Sequence, residues 1–147
     1  MGAAVVHCPT SNTFIGSGLF DLMGLAKASI SIGLATDTGG GSSFSMLRTM
    51  AAAYEIGQLR GTALHPAQLM WLATEGSADA LKMSGKIGHL GAGAAADITV
   101  LDLASTSAIA QRSGRAKDVW DALFPTIMMG DDRAIKDVWI AGKRWAA

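Results

Sequence analysis

Two short apolar segments of this chain are each followed by side chains that could do chemistry. Asp37 comes after residues 30–35 and just before a run of three glycines, while His7 and Asn12 come after the segment that starts at Ala3. A carboxylate can take a proton from water, and an imidazole can bind a metal ion or contact a substrate. Aspartate also bonds nearby backbone in tight bends, and a strand-end histidine can be satisfied by backbone, so the structural interpretations stay open.

These side chains stand among segments that alternate between strand and helix. The segments 3–6 and 30–35 have the apolar character of buried strands, and the spacing of apolar residues over 21–27 predicts a helix between them. Strand, helix, strand is the order of a parallel sheet, in which the carboxyl ends of neighbouring strands meet at one edge. This order places Asp37 and the polar turn 9–12 at the same edge.

Three further helices are expected before the last third of the chain. Apolar residues recur at three- and four-residue steps after the glycines, which predicts an amphipathic helix with Ser42 or Ser43 as its N-cap. Pro66 suits the first turn of the next helix, because no amide donor is needed there. A shorter helix is expected over 77–83, closed by Gly85.

The last third of the chain has a mixed α and β character. Several glycines interrupt it after residue 85, and short apolar segments follow. Ala141 and Gly142 suit a tight turn between two strands. The elements expected here are strands over 97–103, 136–140 and 143–145, a loop over 105–114, and a helix over 118–129 that is interrupted or ended near Pro125.

Composition limits the class of protein. Of 147 residues, 50% are hydrophobic and 16% are charged, which provides enough apolar side chain for a sizeable core. The formal net charge is zero and no run of Lys or Arg is present, so nucleic acid is not an expected partner. No apolar run reaches the roughly 18–20 residues that cross a bilayer, and residues 1–6 are too short for a secretory signal. With Cys8 as its single cysteine, the protein is expected in the cytoplasm, without a membrane partner.

Three stretches of the chain carry a resemblance to known proteins. They are His-Cys-Pro-Thr-Ser-Asn at 7–12 with Gly-Ser-Gly-Leu at 16–19, Gly-Leu-Ala-Thr-Asp-Thr-Gly-Gly-Gly at 33–41 with Ser-Phe-Ser-Met-Leu-Arg at 43–48, and Gly-Asp-Asp-Arg at 130–133 with Val-Trp-Ile-Ala-Gly-Lys at 138–143. In this order they resemble the guanine deaminases of the metal-dependent amidohydrolase superfamily. The ordered set covers nearly the whole chain, which makes the resemblance more specific than any one stretch.

The resemblance implies an α/β fold, namely the C-terminal portion of a (β/α)8 barrel together with strands of the small β-sandwich of this superfamily. Residues 3–8 would be barrel strand seven and 30–36 barrel strand eight. Residues 1–84 would hold these strands and their helices, and residues 85–147 would return to the sandwich, with one helix packing back on the barrel. Active sites of such barrels lie at the carboxyl ends of the strands.

The resemblance also implies a reaction, the hydrolysis of guanine to xanthine and ammonia. A bound zinc ion lowers the pKa of water, and a neighbouring carboxylate carries the proton to the departing amine. Asp37 is similar to the family aspartate that both binds the metal and carries this proton. The implied substrate is a small purine or related heterocycle, and His7 and Asn12 are candidates for contact with it.

Asp37 does not hold a metal ion alone. The family supplies a His-x-His pair and further histidines from earlier barrel strands, and this chain has no His-x-His. His65 before Pro66 suits a helix boundary, and His89 lies in the glycine-rich stretch away from the expected site. Cys8 is expected to be a small buried residue. The chain is therefore interpreted as a C-terminal fragment that is inactive by itself.

Two other interpretations stay open. One keeps the superfamily but changes the substrate to a chlorinated triazine or another aminated heterocycle. The other is a non-catalytic binding or assembly module. A partial barrel exposes strand edges and an apolar inner face, so a homo-oligomer, or association with the missing N-terminal part, is expected.

Some features have structural and functional interpretations side by side. Glycines 39–41 could form a nest of amides for an anion, but close packing of helix on strand suits them better. The polar turn 9–12 could line the pocket or tie down a loop. The Asp-Asp-Arg sequence at 131–133 suits a salt-bridged turn, and the tryptophans suit core or interface positions.

Overall fold

The structure of the protein is a computed structural model, and it describes residues 2–145. The strands are β1 (Ala4–His7), β2 (Ser31–Leu34), β3 (Ile98–Leu101), β4 (Ile135–Ile140) and β5 (Lys143–Trp145). The helices are α1 (Pro9–Phe14), α2 (Leu22–Lys27), α3 (Met46–Leu59), α4 (Pro66–Ala73), α5 (Glu75–Ala80), α6 (Ser107–Ser113) and α7 (Val119–Met129), and a 3-10 turn covers Asp132–Ala134.

β1 and β2 form a parallel pair, as the order of the elements predicts. The register runs from Ala4 opposite Ser31 to His7 opposite Leu34, so both strands end at the same edge. α2 lies in the connection between them, at the place where the sequence predicts a helix. Both expected strands are therefore confirmed, and the loops that follow them meet at one edge of the pair.

One core joins β2 to three helices. α4 packs on β2, and α3 and α7 pack on α4 and on each other. The buried members of this core are Ile32, Leu34, Leu47, Met50, Ala53, Leu64, Leu69, Leu72, Leu123, Ile127 and Ala134. The apolar spacing that predicts α3 and α4 is therefore the spacing of their buried faces.

α3 begins later than the sequence indicates. The Ser45 hydroxyl caps it by accepting a hydrogen bond from the Arg48 amide at 3.3 Å. The N-cap expected at Ser42 or Ser43 is therefore wrong by two or three residues. Ser43 serves the turn before the helix instead, because its hydroxyl accepts from the Ser45 amide at 3.0 Å.

α4 begins with Pro66 in its first turn, as expected, and His65 is its N-cap. The His65 Nδ1 atom accepts a hydrogen bond from the Ala67 amide at 3.1 Å, while the His65 amide donates to the Gln68 side chain at 2.8 Å. These reciprocal bonds satisfy two amides that the helix itself leaves unpaired. The boundary role expected for His65 is therefore confirmed.

The segment after β1 is a helix, α1, where the sequence suggests a polar turn. Pro9 occupies its first turn, and the Thr13 hydroxyl donates to the Pro9 carbonyl at 2.9 Å. Thr10 and Ser11 are buried, at 3% and 2% exposure. The polar composition conceals this helix because two small hydroxyl residues join Pro9 on its buried face.

α5 closes the outer edge of β2 at Leu34. The Ser77 hydroxyl accepts a hydrogen bond from the Leu34 amide at 3.0 Å and donates to the Leu72 carbonyl at 2.7 Å. Gly33 permits this approach, because a Cβ there would lie only 3.1 Å from Ser77 Cα. The expectation of open strand edges therefore fails for β2 at Leu34, whereas the other edge of β1 pairs with no strand in the described part of the chain.

β3, β4 and β5 form a separate antiparallel sheet in that order. Ala141 and Gly142 have φ angles of 49° and 76°, as a tight two-residue hairpin turn requires. The Asp97 carboxylate accepts a hydrogen bond from the Ala141 amide at 2.8 Å, which ties this turn to the start of β3. The three strands expected here are confirmed, although β3 is shorter than the segment 97–103.

Residues 105–114 are not a loop, because α6 forms within them. The Thr106 hydroxyl caps the helix by accepting a hydrogen bond from the Ile109 amide at 3.3 Å. Ile109 is fully buried, and the Ser113 hydroxyl donates to the Ala122 carbonyl of α7 at 2.9 Å. The prediction of a loop is wrong because a cap and contacts with α7 hold a helix whose composition is mainly small and polar.

α7 runs without a break through Pro125, against the expectation of an interruption there. Proline removes one amide donor from a helix and crowds the preceding turn. Pro125 is buried, as are Leu123 and Ile127 on the same helix. The packing of these side chains against α3 and α4 holds the helix together across the missing hydrogen bond.

Asp131 and Arg133 form the expected salt-bridged turn after α7. The Arg133 side chain donates from Nε to Asp131 Oδ1 at 2.9 Å and from a terminal nitrogen to Oδ2 at 2.6 Å. This pairing lowers the pKa of the Asp131 carboxyl from its ordinary value.

Across residues 2–145, no helix combines the length and the apolar composition needed to cross a bilayer. The division of the chain at residue 84 stays a prediction.

Candidate functional site

Asp37 lies on the loop that leaves β2 at its carboxyl end. Its φ of 52° is a left-handed conformation, which aspartate adopts more readily than most residues. Its carbonyl oxygen accepts hydrogen bonds from the amides of Gly40 at 3.0 Å and Gly41 at 2.6 Å. The turn interpretation is therefore correct for the backbone of Asp37. Two donors that an anion-binding nest would need are used inside this turn, which argues against a nest.

The side chain of Asp37 is exposed and makes no hydrogen bond or ion pair within residues 2–145. It stands near the start of α1, because a Cβ atom on Gly40 would lie 2.9 Å from Asp37 Oδ2 and 3.1 Å from Ser11 Oγ. Burial first and the charge of Asp37 second raise the pKa of the Cys8 thiol. The loop thus presents a carboxylate at the edge where β1 and β2 both end. A carboxylate without an internal partner there is free to bind a ligand.

The glycine loop packs closely on α1, whereas the sequence favoured close packing of a helix on a strand for this run. A Cβ on Gly41 would lie 2.2 Å from the Thr36 carbonyl oxygen and 3.1 Å from Thr10 Oγ1. The Thr10 hydroxyl donates to the same Thr36 carbonyl at 3.5 Å. Beside it, the Thr36 and Thr38 hydroxyl oxygens lie 3.1 Å apart. Helix α1 therefore supports the loop that carries Asp37.

His7 is buried on the helix side of the strand pair. It is 2% exposed, and it pairs with Leu34, whose side chain belongs to the core. Paired residues of parallel strands point to the same face, so the imidazole points toward the helices. It lines a small cavity of about 90 Å³ whose other walls come from α2, α3 and the adjoining loops.

The other polar candidates are Asn12 and Cys8, which lie near this loop, and His89, which lies in the stretch before β3. The Asn12 side chain is half-buried and donates to the Ser17 hydroxyl at 3.0 Å. Cys8 is half-buried and free, beside the end of β1. His89 belongs to the stretch before β3, where its Nδ1 accepts a hydrogen bond from the Gly91 amide at 3.0 Å. Among these side chains, Asn12 and Cys8 share the strand edge with Asp37.

The residues at this edge do not form a metal site by themselves. Residues 2–145 contain no group of three or more His, Cys, Asp or Glu side chains placed to hold an ion. Asp37 could fill one coordination position. The raised pKa of Cys8 keeps it a thiol, whereas the thiolate is the form that binds metal.

Comparison with known sequences places this chain in a family. The sequence profile described as Amidohydrolase family matches residues 1–145. The chain belongs to the amidohydrolase family. This amidohydrolase is 35% identical over 141 residues to the guanine deaminase of Escherichia coli strain K12, an alignment that covers 96% of this chain and 32% of that protein. The chain therefore spans about a third of the length of the curated relatives it matches.

Solved structures show the same relationship. The amidohydrolase chain superposes on E. coli guanine deaminase with a TM-score of 0.95 at 34% identity, covering 99% of this chain and 34% of that one. An adenosine deaminase from Xanthomonas campestris with bound zinc gives 0.78 at 29% identity, over 96% of this chain and 31% of that one. A guanine deaminase from C. acetobutylicum with guanine bound in its active site gives 0.78 at 25% identity, over 96% and 33%. The expected α/β fold, part of an amidohydrolase barrel, is confirmed.

The sequence indicates only some of the residues that shape this edge. Thr10 and Ser11, in the polar turn that the sequence indicated, are buried beneath the glycine loop, whereas Ser77, which closes β2 at Leu34, was not indicated. A proline followed by small hydroxyl residues at a strand end is the sequence feature that could have indicated α1. Ser77 has no such local feature, because its partner Leu34 is 43 residues away.

Proposed function

We propose that this chain is the C-terminal part of a metal-dependent guanine deaminase, and that the whole protein hydrolyses guanine to xanthine and ammonia. The observation that carries the proposal is the unpaired carboxylate of Asp37 at the shared end of β1 and β2. The likeness to guanine deaminases over nearly the full length of this chain supports the choice of substrate.

Asp37 is proposed to move the proton that this reaction requires. Water adds across the ring carbon–nitrogen double bond, so that its oxygen joins the carbon that bears the exocyclic amine and one of its protons goes to the adjacent ring nitrogen; the bond from that carbon to the amine nitrogen then breaks. A carboxylate oxygen of Asp37 accepts the other proton of the water and passes it to the amine, which leaves as ammonia, so the carboxylate ends as it began. An exposed carboxylate without an internal partner suits this task, because no other contact has to break.

Asp37 is also proposed to fill one position of a zinc site. The metal supplies activation of water near neutral pH by lowering the pKa of water. The remaining ligands would come from parts of the protein outside this chain, since residues 2–145 offer no ligand cluster. The isolated chain is therefore expected to be inactive, and to associate with those parts or with a second copy.

Asn12 and His7 are the candidates for contact with the substrate. Asn12 stands at the same strand edge as Asp37, and its amide reaches Ser17 in the structure, which supports a place at the rim of the site. His7 is buried against the helices, which disfavours contact with a substrate. Both stay predictions, as does a cytoplasmic location.

The proposal is tested by restoring the missing two thirds. This chain would be coexpressed with, or fused behind, the preceding segment of E. coli guanine deaminase, and the isolated chain would be the control. Ammonia release would be followed with guanine and adenosine, and chloride release with a chlorinated triazine, each with and without added zinc. The restored protein is expected to release ammonia from guanine in a zinc-dependent way, and the isolated chain to release none.

Two results would overturn parts of this account. Turnover of guanine by the isolated chain would refute the dependence on outside ligands. A folded, zinc-loaded complex that hydrolyses the triazine but leaves guanine untouched would refute the substrate.

A further inference from the structure

Gly40 lies between the Asp37 carboxylate and α1. A Cβ atom on Gly40 would lie 2.9 Å from Asp37 Oδ2 and 3.1 Å from Ser11 Oγ. Both distances are shorter than ordinary van der Waals contact. Two polar side chains from different segments thus converge on the space that the missing side chain leaves free.

Of the two side chains beside this space, Ser11 is held in place by its surroundings, whereas Asp37 can move. Ser11 is 2% exposed within α1, and the neighbouring Thr10 packs on the same loop. The Asp37 carboxylate is exposed and has no hydrogen bond or ion pair within residues 2–145. A methyl group at position 40 would therefore displace the carboxylate before it displaced the serine.

The three glycines of the loop meet different requirements. Gly39 has a φ of 106°, so its backbone conformation requires glycine, although no atom lies within 4 Å of the place a Cβ would take. A Cβ on Gly41 would meet the Thr36 carbonyl at 2.2 Å, so the turn itself requires glycine there. Gly40 is not among the residues with positive φ, and its main conflicts are with side chains. Its backbone would accept an L-residue, and what glycine provides there is room for Asp37.

We infer that Gly40 and Ser11 are positioning residues that together fix where the Asp37 carboxylate stands. The inference rests on the proposed function, because the place of a carboxylate matters most when it must meet a metal ion and a substrate. An ångström of displacement can cost two orders of magnitude in rate without changing any reacting group. Gly40 leaves room for the Asp37 carboxylate, and Ser11 limits how far the loop can shift toward α1.

The test compares Gly40→Ala with the double variant Gly40→Ala/Ser11→Ala in the restored, zinc-dependent protein. Removing the serine hydroxyl lets the loop shift toward α1, so the double variant gives the added methyl group room without pushing Asp37. Gly114→Ala is the matched control, since its Cβ would lie 3.1 Å from the Ala110 carbonyl at the end of α6, at a negative φ of −66°. The measurements are the zinc dissociation constant, kcat and KM for guanine, the melting temperature, and crystal structures of the metal-free proteins.

Gly40→Ala is expected to weaken zinc binding and lower kcat by about tenfold or more, with KM within about twofold and a melting temperature like that of Gly114→Ala. The double variant should recover a large part of both losses. In the crystals, Asp37 Oδ2 should move in Gly40→Ala and return in the double variant. An unmoved carboxylate with unchanged zinc affinity would overturn the role of Gly40, and a double variant without recovery would overturn the role of Ser11.

These outcomes separate the inference from the proposed function. If the wild-type protein binds zinc but leaves guanine unchanged, the proposed substrate fails while the zinc constants still test the positioning. If zinc does not bind, the metal site fails, and the position of Asp37 Oδ2 in the metal-free crystals still decides whether Gly40 and Ser11 place it.

Discussion

The imidazole of His7 stacks on the ring of Phe20, with centroids 4.4 Å apart and planes inclined by 13°. The His7 Nδ1 atom is buried and has no hydrogen-bond partner. Burial lowers the pKa of His7 to about 4, and a side-chain hydrogen bond with Asn12 acts in the opposite direction. His7, at the end of β1, therefore packs as a neutral aromatic ring between the strands and the helices.

The buried His7 predicts that the protein loses stability in acid. The pKa is 6.5 for an ordinary histidine and about 4 for the folded protein, so between these values the unfolded chain binds more protons. The free energy of unfolding therefore carries the full contribution of neutral His7 above pH 6.5 and loses it as pH falls toward 4. The loss amounts to about 3 kcal/mol. Urea unfolding at pH 7 and pH 4 measures it.

His7→Phe keeps an aromatic ring against Phe20 and removes the ionisable group. This variant should lose less stability than the wild type between pH 7 and pH 4. His89→Gln, outside the strand pair, serves as the control and should leave the His7 contribution in place. An acid loss in His7→Phe equal to that of the wild type would show that His7 does not cause it.

The bond between Ser77 and Leu34 predicts a second stability effect. Ser77→Ala removes the acceptor of the Leu34 amide at the closed edge of β2 and leaves that amide unpaired. The expected cost is about 1–3 kcal/mol in the free energy of unfolding. Ser42→Ala is the control, because Ser42 is exposed and its hydroxyl makes no hydrogen bond within residues 2–145. Equal urea midpoints for both variants would mean that α5 does not close this edge.

The fold could be predicted from the sequence where apolar periodicity and turn residues agree. The strand that ends at His7, the strand that precedes Asp37, the helix that starts at Pro66 and the hairpin at Ala141 all have this agreement. The prediction of α6 failed, because its only fully buried side chain is Ile109 and contacts with α7 supply the rest. The composition of a segment does not predict such tertiary contacts.

The candidate site was predictable in part for a similar reason. The place of Asp37 follows from the order of two strands, and the role proposed for it was suggested by the resemblance. Gly40 and Ser11 were not distinguished from their neighbours, since their proximity depends on α1, which the polar composition conceals. A loop and a helix that are distant in sequence define the position of the carboxylate.

Helix α6 gives a third prediction, which tests the element that composition conceals. Ile109 is fully buried, so Ile109→Ala should cost about 2–5 kcal/mol in the free energy of unfolding. Gln111→Ala on the same helix changes an exposed side chain and should cost less than about 0.5 kcal/mol. Circular dichroism during urea unfolding measures both. Similar costs for the two variants would mean that residues 107–113 do not pack as a helix.

Asp37→Asn tests the central claim most directly, because asparagine keeps the size of the side chain and tolerates the left-handed backbone at this position. In the restored protein we expect zinc-dependent ammonia release from guanine to fall by about 100-fold or more, zinc binding to weaken, and the urea midpoint to stay unchanged. Ammonia release within about twofold of the wild type, with full zinc content, would contradict the account.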